Sequence, residues 1–412
     1  MQRPATGHDH CTCHFPPHLS GTVPNPPNEK LVLPRLHPQE KMNRNARCWC
    51  LSGKKWKVCH RDRDKQTPIN VFQLLDELRD EFAKGYCLHP DADPDTCAAI
   101  VNAHTIQKRG GLAAIAESNH VFSVKQGFYR VPNNAGDIVP TRLSINKAST
   151  FPGFCGRHDN ALFRAAEHGV VSINALTAFL LSYRAICYEF FAKAAAIRAT
   201  PIIQQSDRGR PFVDQCYCQD YLHTKLRGLE MGMQDLLRLR SRYCTLYSTS
   251  EYDKFHFYAV TFSDVLPVAS CGAISPEYDF SGNSLQDILR SPQPIEQVAF
   301  NLTSFGDTSV AVFGWVDKNG PAEKLANSFR QLPLADKANS VVRFAFEYIE
   351  NTMMRPSWWG TLGKLKQEQV IHHLAARFPE REFEHDRLAW SSTRQYQFVS
   401  SRVIDEMWSD LD

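Results

Sequence analysis

The chain predicts an α+β protein in which small zinc-stapled modules precede a helical hairpin, an antiparallel β region and a helical tail. Three observations carry this. Two groups of Cys and His stand at ligand-like spacing before residue 160, and apolar residues recur at helical intervals through residues 160–245. From Phe255 the pattern changes to alternating or β-branched runs bounded by Gly, Pro and Asn. With 412 residues, 43% of them hydrophobic, there is enough apolar surface for a sizeable core and for two or three domains.

Residues 1–40 are rich in proline, with Pro16, Pro17, Pro24, Pro26 and Pro27 breaking any helix, and read as a flexible arm. No apolar h-region follows Met1, so we expect a cytoplasmic protein whose thirteen cysteines are reduced and bind metal rather than cross-link. The longest uncharged apolar stretch, Gly169–Tyr183, is shorter than a bilayer span, so no membrane contact is expected. Within the arm His8, His10, Cys11, Cys13 and His14 crowd together. No second ligand pair follows at fixed spacing, so we assign them adventitious metal binding or none.

Residues 41–66 hold the strongest signal. Cys48 and Cys50 at one end of a short loop, Cys59 and His60 at the other, supply the four soft ligands that tetrahedral zinc requires. Residues 41–65 also carry nine Lys/Arg against two Asp, which suits either solvation or contact with a polyanion. The wording Cys48, Cys50, Ser52, Gly53, Lys54, Lys55, Trp56, Lys57, Cys59, His60 resembles the SEC-C zinc module, with Trp49 and Leu51 replacing the commoner Pro and Gly. The resemblance implies docking to nucleic acid, through Lys54, Lys55 and Lys57, or to a protein partner; it names no reaction.

Residues 67–165 open with a helix near Pro68, its apolar stripe being Val71, Leu74, Leu75, Leu78 and Phe82, with Gly85 able to end it. A second ligand group follows: Cys87, His89 and Cys97 in a loop, His104 at a strand end, then Cys155 and His158 opening a helix. A ligand-bearing knuckle, a strand, a hairpin and Cys-x2-His at a helix start is the layout of a ββα-metal, treble-clef unit. The zinc set is either Cys87, Cys97, Cys155 and His158, or His89 with the three cysteines; compactness favours the first. This stretch resembles an HNH-type nuclease core. The resemblance implies His104 as general base, Asn146 as the residue that orients it, and Asp159 as the holder of a catalytic Mg²⁺ or Mn²⁺. It departs from the family at Ala103, where a second ligand is common, and in the wide spacing of Cys87 and Cys97. Lys108 and Arg109 lie in a second basic stretch, residues 104–147, and are expected to meet phosphates.

Residues 166–250 read as an antiparallel helical hairpin, whose Arg238, Arg240 and Arg242 form a solvated face or reach phosphates. Residues 251–412 read as antiparallel strands and a helical tail; Trp358 and Trp359 are expected as core anchors, and His372 and His373 as surface residues. Loosely, residues 85–365 resemble a group of bacterial zinc-binding proteins of uncharacterised role, and mobile-element or phage-defence settings suit such a modular chain by analogy. The expected function is a metal-dependent nuclease acting on DNA or RNA, with zinc holding the fold. The rivals are a non-catalytic adaptor docking nucleic acid or protein, and a structural sensor. Oligomeric state is left open.

Overall fold

A computed structural model describes residues 35–97, 99–123, 139–167, 172–288, 290–291, 293–375 and 397–409. The helices are α1 (Val71–Phe82), α2 (Ala113–Ile115), α3 (Gly156–Glu167), α4 (Ala175–Ile203), α5 (Phe212–Thr249), α6 (Pro321–Arg330), α7 (Leu334–Tyr348), α8 (Pro356–Thr361) and α9 (Gly363–Ala375). The strands are β1 (Ile100–His104), β2 (His120–Ser123), β3 (Thr141–Ser144), β4 (Thr150–Cys155), β5 (His256–Phe262), β6 (Val268–Ile274), β7 (Val298–Phe305), β8 (Thr308–Trp315), β9 (Thr352–Met354) and β10 (Val403–Trp408). The α+β class is as expected. The expected ligand group at His8–His14 lies outside the described residues, as do the side chains of His372 and His373.

The chain forms two compact units, Asn25–Lys84 with Phe190–Leu236, and Gly85–Glu189 with Leu237–Asp412. The boundaries expected from the sequence fall at 40, 66, 165 and 250. In the smaller unit the zinc module is not a free bead: Leu36, Trp49, Cys50 and Trp56 are buried together, with Phe212 and Cys216 of α5 packed against them. Leu36 is thus anchored despite its place in the proline-rich arm. Helix α1 starts where Asn70 Oδ1 accepts from the amides of Phe72 and Gln73, satisfying two donors that the first turn leaves open.

In the larger unit an eight-stranded antiparallel sheet has the order β10-β5-β8-β7-β6-β9-β2-β3. Alternation sends Phe300 and Leu302 of β7, and Phe313 and Trp315 of β8, into one core with Phe329 of α6 and Phe344 of α7. The opposite face meets α4. A Cβ at Gly314 would lie 3.0 Å from Cβ of Ser182 and 2.6 Å from the Phe255 ring, so only glycine permits that approach. By length and composition α4 could cross a membrane, but 78% of its apolar window is buried inside the protein, as in a core helix. Trp358 and Trp359 pack against the sheet core, and the Trp358 indole donates to the Phe398 carbonyl at 3.1 Å.

Helices α4 and α5 fall within the expected hairpin, residues 166–250, but its basic run is not a phosphate face throughout. Arg240 is buried and donates to the Leu88 carbonyl at 2.7 Å, bracing the loop that carries Cys87; Arg242 pairs with Asp317. The expected hairpin around the second metal group also differs. Strand β1 pairs with β4, fifty residues on, while β2 and β3 between them extend the large sheet through β9.

Candidate metal centres and active site

At the first centre the backbone closes a knuckle: Cys48 N–H donates to Lys54 O at 2.9 Å and Trp56 N–H to Ala46 O at 2.8 Å. Leu51 and Gly53 turn the chain with φ of 58° and 74°. His60 Nδ1 lies 3.2 Å from the sulfurs of both Cys48 and Cys59, and Cys50 and Cys59 sulfurs are 3.5 Å apart. Zinc bonds of about 2.0–2.3 Å give tetrahedron edges of about 3.5–3.8 Å, so the donor set fits that ion with small adjustments. Hydrogen bonds from Cys48 and Cys59 lower the pKa of the Cys50 thiol, and those from Cys50 and Cys59 raise that of Cys48.

The other ring nitrogen explains how the centre is held. His60 Nε2 donates to Asp207 Oδ2 at 2.9 Å, and Asp207 is fully buried while also accepting from Arg63 Nε at 2.7 Å and Gln219 Nε2 at 2.6 Å. A carboxylate behind a ligating histidine fixes the tautomer and turns Nδ1 towards the metal. Burial opposes charge on the ring, yet Asp207 and the Cys50 and Cys59 sulfurs outweigh it and hold the His60 pKa up at about 11. Arg63, one of the nine basic residues counted above, is therefore buried in this network and not available to a polyanion. Lys54 and Lys55 are exposed and Lys57 is half-buried.

At the second centre Cys87, Cys97, Cys155 and His158 bring their ligand atoms within 4.8 Å of one another. His158 Nδ1 lies 3.3 Å from Cys87 Sγ and 3.4 Å from Cys97 Sγ. The register of β1 and β4 slips between Val101 and Ala103, so Pro152 and Gly153 together oppose Asn102. That bulge frees two carbonyls, which accept from Tyr86 N–H and Leu88 N–H at 3.1 and 2.9 Å and so hold Cys87 against the strand that delivers Cys155. His89 is not in the ligand set. Its Nδ1 accepts from the Asp91 amide at 3.0 Å, its Nε2 faces the Tyr247 hydroxyl at 3.3 Å, and its ring stacks on His158 at 4.0 Å. The alternative left open by spacing thus resolves to His158. Burial raises Cys87 to about 12 and lowers the pKa of His158.

Beside this centre lies a cavity of about 780 Å³ whose wall includes both His104 and Asp159, with Asn102, Lys108, Arg109 and Glu167. His104 Nε2 donates to the Ile145 carbonyl at 2.8 Å; a carbonyl only accepts, so Nε2 carries the hydrogen and Nδ1 keeps a lone pair. Burial lowers the His104 pKa, with Lys108 and Arg184 adding to the effect, so the ring is neutral near pH 7. The expected orienting residue, Asn146, is exposed, and among the described residues its carboxamide makes no hydrogen bond to His104; the backbone of its neighbour Ile145 makes that bond. Ala103 is buried in the core, whereas Asn102 and His104 share the strand face that lines the cavity.

Asp159 sits in the first turn of α3, where the helix dipole favours a carboxylate. Burial nevertheless raises its pKa; Arg184, 3.8 Å away, lowers it and Glu167 raises it. Asp159 Oδ1 is buried with no hydrogen-bond partner among the described residues. Arg184, itself buried, donates to Glu167 at 2.6 Å and stacks its guanidinium 3.7 Å from the Phe163 ring centre. The loop after His104 is clamped in place: Asn351 Nδ2 donates to Thr105 Oγ1 at 2.6 Å, and Gln107 Nε2 donates to the Ala166 carbonyl at the end of α3. Lys108 and Arg109 are exposed at the rim.

Residues 44–62 match the family model of the SEC-C motif. No curated protein and no solved structure matches the chain. The motif match and the four-ligand cluster together make residues 44–62 a zinc-binding module, and the second cluster adds another group able to hold zinc.

Proposed function

We propose that the cavity at His104 and Asp159 is the active site of a metal-dependent phosphodiesterase acting on DNA or RNA. The observation that carries this is convergence: a histidine with its free lone pair set by a backbone carbonyl, a carboxylate oxygen lacking a donor, and two exposed cations share one cavity. The run of ligand loop, β1, β4 and α3 around the second metal group supports the likeness to an HNH core. His104 Nδ1 takes a proton from the attacking water, which adds to phosphorus while the bond to the leaving sugar oxygen breaks and that oxygen takes a proton from solvent. Lys108 and Arg109 hold the phosphate by charge, and the strand clamp through Thr105 and Asn351 keeps the base in place. Asp159 would hold Mg²⁺ or Mn²⁺, which when bound withdraws charge from the phosphate.

A second reading has its own support. Both Cys/His groups supply four protein ligands, leaving no open position for substrate, so the zinc itself does structural work only. That is what a docking adaptor for nucleic acid or protein needs. Incubation of the purified chain with plasmid, single-stranded DNA and RNA in Mg²⁺ or Mn²⁺ decides between them. Cleavage in either metal supports the enzyme; binding without cleavage in every combination leaves the adaptor.

A further inference from the structure

We infer that the cavity receives one nucleotide of an unpaired strand, its base stacked on Phe305 and its phosphate held beside His104 by Lys108 and Arg109. This rests on the phosphodiesterase reading and narrows its substrate. The third wall of the cavity comes from the large sheet, at Ser304, Phe305 and Gly306, some two hundred residues from His104 in sequence. Phe305 is the last residue of β7. Strand alternation puts it on the face of Thr303, whose Oγ1 donates to Gln107 Oε1 at 3.4 Å, and away from Phe300 and Leu302 in the sheet core.

The ring is therefore half-buried at a polar cavity rather than committed to the core. Gly306 follows with φ of 60°, and a Cβ there would meet nothing within 4 Å, so the β7–β8 hairpin reverses directly after Phe305 with open space at its tip. An aromatic side chain sharing a cavity with cations is the arrangement that binds single strands, because every base offers a π-face and every linkage a charge. Size argues the same way. A cavity of about 780 Å³ is on the scale of a small-molecule site, whereas a duplex keeps its bases stacked inside and can present one to Phe305 only by unpairing it.

The test uses the full chain carrying His104→Ala, so that substrate is not consumed, and a single-stranded oligonucleotide containing 2-aminopurine. Binding should quench the fluorophore. Adding Phe305→Ala should abolish the quench and weaken binding by about 5- to 100-fold, while Phe305→Tyr should restore both. A blunt duplex of the same sequence should bind more weakly and show no quench. Equal affinity of the Phe305→Ala chain, with thermal unfolding unchanged, overturns the inference, and so does equal quenching by duplex. The two claims fail separately. Cleavage by the parent that is indifferent to Phe305→Ala removes the stacking site and keeps the phosphodiesterase; quenching that depends on Phe305, with no cleavage in any metal, does the reverse.

Discussion

Replacing Asp207 tests how the first zinc centre is built. The carboxylate is fully buried and accepts from His60, Arg63 and Gln219, so Asp207→Ala strands a buried guanidinium and leaves the His60 Nε2–H without its acceptor. Breaking a buried ion pair from one side costs about 3–5 kcal/mol. The lower end applies here, because Arg63 still reaches Gln66, Gln205 and the Gln204 carbonyl. A loss of about 3 kcal/mol corresponds to a fall of roughly 10 °C or more in the unfolding midpoint of a unit this small. Asp207→Asn keeps shape and one acceptor, so it should fold, yet lose about 10- to 100-fold in zinc affinity because the imidazole is no longer oriented by charge. Zinc affinity is read by competition with a chromophoric chelator and stability by thermal unfolding of the full chain. Asp207→Ala with Arg63→Leu should recover much of the stability but not the affinity. If Asp207→Asn holds zinc as tightly as the parent, the carboxylate does not position His60. If Asp207→Ala also unfolds at the parent's temperature, the buried network is not what fastens the module to the hairpin.

Other outcomes follow from the same geometry. Leu51 holds φ of 58° while half exposed, so Leu51→Gly should remove about 1–2 kcal/mol of left-handed strain, less the entropy glycine adds to the unfolded chain; a rise of about 0.5 kcal/mol or more in chemical denaturation is expected, and a fall refutes it. Cys155→Ser should lower the zinc content from two ions to one and expose residues 85–165 to limited proteolysis; two retained ions would remove that ligand assignment. Cleavage should be flat from about pH 7 upward and fall only on the acid side. The base must be neutral, and burial holds the His104 pKa below its ordinary 6.5, so the half-point belongs below that value. A half-point above 6.5 assigns the base elsewhere.

The metal groups were legible because their chemistry is local. Cys48, Cys50, Cys59 and His60 lie within one loop, and Cys155 and His158 within one helical turn, so spacing alone fixed most ligands. The frame that those ligands impose singled out His104 and Asp159, which line one cavity. What lay outside the sequence was long-range. Asp207 stands 147 residues from His60, and Asn351 lies 246 from Thr105, so no local pattern ties them. The Ile145 carbonyl displaced Asn146 because a backbone group carries no residue-type signal. Asn102 could have been picked out, since strand alternation puts it on the face of His104. Glu167 could also have been, eight residues beyond Asp159 on one helix. The division of the chain into two units was not legible, because α4 and α5 are each shared between them and unbroken helical periodicity hides such a division.

The central claim is that His104 and Asp159 do chemistry while the zinc ligands hold the fold. The most direct measurement is single-turnover cleavage of an end-labelled single strand by the parent, His104→Ala and Asp159→Ala, with zinc content and nucleic-acid affinity read on the same preparations. The account predicts two zinc ions and retained binding in all three, with cleavage in Mg²⁺ or Mn²⁺ by the parent alone. Parent-like cleavage by both variants, or a parent that binds every nucleic acid offered and cleaves none, contradicts it.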